Sequence, residues 1–132
     1  MTTSGEKATF DDVARVAAGL AETTETERRG TRVWNVAGKA FAWERPFTGA
    51  DRKRFKTAGI DPTPGPVLAL ACADLAEKTA VLAQGTPGVF DMEHFEGYAA
   101  YLVALDEIGA ADLETAVQDA WAAKAPDRLL PG

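Results

Sequence analysis

Nine basic side chains fall between residues 28 and 56: Arg28, Arg29, Arg32, Lys39, Arg45, Arg52, Lys53, Arg54 and Lys56. Only Glu44 and Asp51 oppose them there, so the segment has a local balance of +7 within a chain of net charge −6. Guanidinium and ammonium groups at this density can neutralise phosphates and release counterions, which is the chemistry of sequence-tolerant DNA contact. Trp34, Phe41 and Trp43 are interleaved with these cations and could stack on bases. A plainer reading covers the same residues. An edge strand and a surface helix carry charge for solubility and to block strand addition, and tryptophans at alternating strand positions fill a core.

The remaining groups with chemical potential point away from catalysis. His94 is the single histidine, with no cysteine pair and no nucleophile motif around it. It reads as a loop histidine bonded to a backbone carbonyl or to Glu93 or Glu96, and with Tyr98 and Trp43 it offers an alternative pocket for a small ligand or a protein partner. Cys72 is the single cysteine, which excludes an internal disulfide and fits a reducing compartment. The acidic groups Glu22, Glu25, Glu27 and Asp106, Glu107, Asp112, Glu114 could attract a hard cation, but their spacing fixes no site. The expectation is a non-enzymatic protein with no catalytic residues, no metal and no cofactor.

These residues must be positioned by the following elements. Thr9 caps a helix over residues 10 to 22, with Asp11 and Asp12 in its first turn and Phe10, Val13, Ala14, Ala17 and Leu20 on one stripe. The segment from Thr23 to Arg29 reads as an edge strand leading into a hairpin, whose two strands carry Trp34 and Trp43 around a turn at Gly38-Lys39. Alternation places Phe41 and Trp43 on one face of the second strand. Asp51 to Lys56 forms a short surface helix anchored by Phe55 and stopped by Gly59. Three prolines between residues 62 and 66 make a stiff connector. The run from Val67 to Cys72 is a buried strand, and Asp74 caps a helix through Leu82. A loop from Asp91 to Tyr98 precedes a strand from Ala99 to Leu105, and a helix from Asp112 to Lys124 closes the domain before Pro126.

In this order and spacing the chain resembles the MmcQ/YjbR family of small bacterial domains. The resemblance rests on the stretch from Val36 to Trp43, Arg45-Pro46, Asp51-Arg52, Lys78 after Asp74-Leu75, Gly88-Val89-Phe90, His94 to Tyr98, and Asp119-Ala120-Trp121 with Ala125-Pro126. It implies an α+β fold similar to frataxin (CyaY-like), with a twisted antiparallel sheet, helices on one side and a "double wing" surface for DNA. Where relatives commonly have threonine and proline before the histidine and proline after the tyrosine, this chain has Met92-Glu93 and Ala99. Two acids beside His94 make that loop a poor phosphate contact and shift the expected DNA surface to the hairpin and the Arg52 helix.

At 132 residues, with 46% hydrophobic and 26% charged content, the chain is long enough for one domain with its own core. Residues 1–7 and 127–132 read as loose ends. With no apolar run of membrane length and no secretory leader, the expectation is a monomeric cytoplasmic protein without a membrane partner.

Overall fold

The computed structural model describes residues 7–131, apart from the side chain of His94; of the ends expected to be loose, residues 1–6 and 132 lie outside the described residues. Each of the first three helices begins where a short oxygen-bearing side chain can satisfy a backbone donor. Helix α1 (Phe10–Ala18) starts with a reciprocal box: Asp12 N donates to Thr9 Oγ1 (3.2 Å) and Thr9 N donates to Asp12 Oδ2 (2.8 Å). Thr48 and Asp51 form the same box at α2 (Gly49–Ala58), which ends on left-handed Gly59. Asp74 caps α3 (Leu75–Ala83), accepting from Glu77 N at 2.8 Å. Helix α4 spans Ala110–Lys124.

Helix α1 is shorter than its apolar stripe suggests. The Thr23 hydroxyl donates to Ala17 O (2.7 Å) and Leu20 O (3.1 Å), and Trp121 Nε1 donates to Ala21 O (2.9 Å). These bonds satisfy the carbonyls at the helix end and turn the chain into the first strand.

Six strands form one antiparallel sheet in the order β1 (Thr23–Arg28), β2 (Thr31–Val36), β3 (Lys39–Glu44), β4 (Val67–Ala71), β6 (Ala100–Ala104), β5 (Val89–Phe90). Strand β1 is exposed at one edge, as its threonines and charges imply. The β2–β3 turn lies at Ala37-Gly38, one residue earlier than Gly38-Lys39; both residues have positive φ (48° and 84°), the two-residue turn whose twist suits a hairpin.

Helices α1 and α4 cover one face of the sheet over Trp34, Phe41, Leu68, Leu70, Tyr101 and Val103. The second face is only partly covered. Val67, Ala69 and Leu102 pack there against Phe55 of α2 and against Met92 and Phe95 of the 91–98 segment. The helices are therefore not confined to one side, because Phe55 and Phe47 pin the charged α2 onto the second face. Strand β4 is buried on both faces, which explains its unbroken apolar sequence. Gly88 lets β5 close on β6: its φ is +91°, and a Cβ there would lie 2.9 Å from Ala104 O and from Ile108 N.

The C-terminal segment does not trail away. Residues Asp127–Leu129 form a 3₁₀ turn, Leu129 packs against the helical core, and Arg128 forms a two-pronged ion pair with Glu22.

Candidate binding groove

The position of Trp43 follows from a bulge. Trp34 pairs with Ala42 and Asn35 with Ala40, leaving Phe41 as an extra residue in β3. At such a bulge the alternation is interrupted. Phe41 and Ala42 both join the core beneath α1 and α4, while Trp43 joins the apolar cluster of the opposite face. The expectation that Phe41 and Trp43 share a face is corrected here: strict alternation fails at the inserted residue.

On that second face Trp43 forms one wall of a groove of about 550 Å³. Phe95 and Tyr98 supply further rings, and Arg28, Arg45 and Lys124 supply three cations. The floor is made by Ala40, Ala71, Ala99 and Ala100, whose single methyl groups leave the space open. No carboxylate lines the groove among the described residues. Tyr98 is 59% exposed and tilted against Phe95 at a centroid distance of 5.5 Å, so an aromatic face is available to solvent.

Two cationic side chains, Lys78 and the half-buried Arg45, hold this arrangement. Lys78, 3% exposed, donates from Nζ to Phe95 O (2.5 Å) and Tyr98 O (2.9 Å) and lies 3.2 Å from Asp91 Oδ1. The backbone that carries both groove aromatics is thus tied to α3. Arg45 reaches the Asp51 carboxylate at 2.9 Å and Pro46 O at 2.6 Å, with its guanidinium 5.4 Å from the Phe95 ring centroid. Burial alone would raise the Asp51 carboxyl, but the Thr48 backbone N–H and the Arg45 guanidinium outweigh it and hold the group below its ordinary value.

The nine cations of the 28–56 segment stand in different settings. Arg28 and Arg45 reach the groove. Arg32 lies on the helical side, bonded to Glu25 (2.8 Å) and Asp11 (2.9 Å) and stacked 5.2 Å from the Trp34 ring, so its charge is matched. Glu25 also accepts from Trp34 Nε1 (2.9 Å), and its carboxyl is lowered chiefly by the Arg32 hydrogen bond. Arg54 approaches Asp51 at 3.5 Å. Arg29 and Lys39 are exposed beside the two hairpin turns, and Arg52, Lys53 and Lys56 are exposed on α2. His94 lies in the 3₁₀ turn Glu93–Phe95, immediately before the groove residue Phe95. Among the described residues no group of three or more His, Cys, Asp or Glu side chains is placed to hold a metal ion, and Glu22 and Glu25 are each engaged by an arginine.

Two mycobacterial proteins resemble the chain over almost its whole length. The uncharacterized protein Rv2570 of Mycobacterium tuberculosis and the uncharacterized protein Mb2600 of Mycobacterium bovis are each 41% identical to it over 124 residues, 93% of either chain. The chain belongs to the family of these mycobacterial proteins. No family model matches the sequence, and no solved structure matches it.

Two contributors to the groove of this family member were missed in its sequence. Phe95 reads as a loop aromatic, and only the Lys78 clamp shows why its ring is fixed. Lys124 reads as a charge favourable at a helix C-terminus, and nothing in its surroundings signals that α4 ends beside the groove. Lys78 did leave a trace. An ammonium between Leu75 and Val81-Leu82 implies a buried partner.

Proposed function

We propose that this chain is a non-enzymatic, cytoplasmic, monomeric DNA-binding domain of the MmcQ/YjbR type that takes an unpaired strand along the Trp43–Tyr98 groove. The observation that carries this reading is the meeting of Trp43, Phe95 and Tyr98 with Arg28, Arg45 and Lys124 on one concave, carboxylate-free surface. Flat rings accept any base by stacking, and cations beside them track phosphates, which gives affinity without base readout. Arg45 links the groove through Asp51 to α2, so Arg52, Lys53 and Lys56 stand on the adjoining element and extend the positive field. The chain also contains no helix, among the described residues, long and apolar enough to cross a membrane.

Fluorescence anisotropy with a labelled oligothymidine tests the reading. Binding is expected at low salt, weakening as salt rises, and it should drop about tenfold or more for Tyr98→Ala, in line with roughly 1–3 kcal/mol per stacked base. Arg28→Ala combined with Lys124→Ala should weaken it further. No binding at low salt would overturn the proposal.

A second reading assigns the groove to a small anionic ligand or a protein partner docking beside Tyr98. The groove volume of about 550 Å³ and the exposed Tyr98 ring favour it. Saturable quenching of tryptophan fluorescence by a mononucleotide, with no gain in affinity for longer oligonucleotides, would select this reading over the strand.

A further inference from the structure

The second face of the sheet holds another cavity, separate from the groove and opposite to it in charge. It has a volume of about 340 Å³ and lies between α2, the connector after it, β5 and the start of the 91–98 segment. We infer that this cavity is a binding site for a small aromatic amine.

The walls explain the aromatic part. Phe47, Phe55, Phe90, Val89, Met92 and Ile60 line the space. Phe47 meets Phe55 edge-on at 4.9 Å and Phe90 at 6.3 Å, so ring faces and edges are already fixed for a further ring to pack against. A volume near the lower end of the usual range for ligand pockets, roughly 300–1,000 Å³, suits one or two fused rings.

The polar groups explain the amine. Asp61, Glu93 and Glu107 line the cavity with exposed carboxylates. The one cation in the lining, Arg54, is directed to Asp51 at 3.5 Å. Asp91 also lines the cavity, and its Oδ1 is the one buried side-chain nitrogen or oxygen among the described residues that has no hydrogen bond. Lys78 Nζ is 3.2 Å away and supplies charge, but it directs hydrogen bonds to Phe95 O and Tyr98 O. Asp91 Oδ1 is thus charge-paired with Lys78 and closed off from the cavity, which leaves Asp61, Glu93 and Glu107 as the exposed carboxylates of the lining. A carboxylate ligand would meet the like charges of Asp61, Glu93 and Glu107. A neutral ring would bury the same apolar area and leave the field of the rim unused. An ammonium on an aromatic body meets the rim carboxylates and packs against the walls together.

Amide NMR titration of the whole chain with three indoles of matched size tests this: tryptamine as the cation, tryptophol as the neutral analogue and indole-3-acetate as the anion. Tryptamine should shift amides of α2 and residues 88–93 and bind about tenfold more tightly than tryptophol, the effect of one charge-assisted contact, with indole-3-acetate weakest. Ala58→Trp, at an exposed helix position that lines the cavity, should abolish binding of all three. Glu93→Gln with Glu107→Gln should bring tryptamine and tryptophol closer together while leaving the fold intact, since both carboxylates are exposed. Absence of shifts with all three probes at millimolar concentration would overturn the inference. So would equal affinity for the amine and the carboxylate, shifts centred on Trp43 and Tyr98, or unchanged tryptamine binding by Ala58→Trp.

Discussion

Lys78 is a buried ammonium with three hydrogens to place, and two of them fix the carbonyls of Phe95 and Tyr98 while Asp91 supplies the countercharge. Replacing it with methionine keeps the volume but releases both carbonyls and leaves Asp91 without a partner charge. Loss of one member of a buried pair costs roughly 3–5 kcal/mol. Lys78→Met is therefore expected to lower the unfolding free energy measured by denaturant titration by that scale and to speed hydrogen exchange around residues 95–98. Unchanged stability with protected 95–98 amides would show that the clamp is dispensable. At this scale the sequence was legible in part. Lys78 reads as a position along α3 and in the family resemblance, without its burial, whereas Trp34 is 1% exposed as its core reading requires. Arg32 and Arg45 were read only as members of a basic run, because ion pairing with Asp11, Glu25 and Asp51 depends on neighbours that the fold, not the sequence order, brings close.

Among the elements, α2 depends most on a single residue. Nearly every outward side chain on it is charged, its apolar anchor is Phe55, and Asp51 both closes the N-terminal box and receives Arg45 and Arg54. Asp51→Asn is expected to destabilise the domain by about 3 kcal/mol, since it leaves Arg45 half-buried beside a neutral partner. The pH dependence follows from the sign of the shift. The folded Asp51 carboxyl lies below its ordinary value, so its contribution is fully present above the unfolded carboxylate range and is lost as pH falls through that range to the depressed folded value. Thermal unfolding followed from neutral to acid pH should fall less steeply for Asp51→Asn than for the native chain, and identical slopes would refute the assignment. The apolar stripes that placed α1, α3 and α4 were legible because each helix has a face to bury, and β4 and β6 were legible as unbroken apolar runs because both strands are buried throughout. The bulge at Phe41 was not, since an inserted residue leaves the composition of β3 unchanged and shifts only which face each side chain meets.

On the scale of the whole molecule, the proposed contact with a phosphate backbone has to be reconciled with a net charge of −6. The fold separates charge rather than pooling it. Arg32 is neutralised on the helical side, the rim carboxylates gather around the cavity beside β5, and the groove is left with Arg28, Arg45 and Lys124 and no acid. This partition makes the salt dependence diagnostic. Each phosphate neutralised on a single strand contributes about −0.7 to the slope of log K against log salt. Because Arg45 is already paired with Asp51, contact confined to the groove through Arg28 and Lys124 predicts a slope of about −1.4, whereas engagement of all nine cations of the 28–56 segment predicts about −6. The groove reading expects the shallower value, and it expects Lys124→Ala to reduce the slope although Lys124 lies far outside that segment in sequence. A slope near −6 that is unaffected by Lys124→Ala but reduced by Arg52→Ala with Lys53→Ala would move the binding surface from the groove to α2 and the hairpin turns.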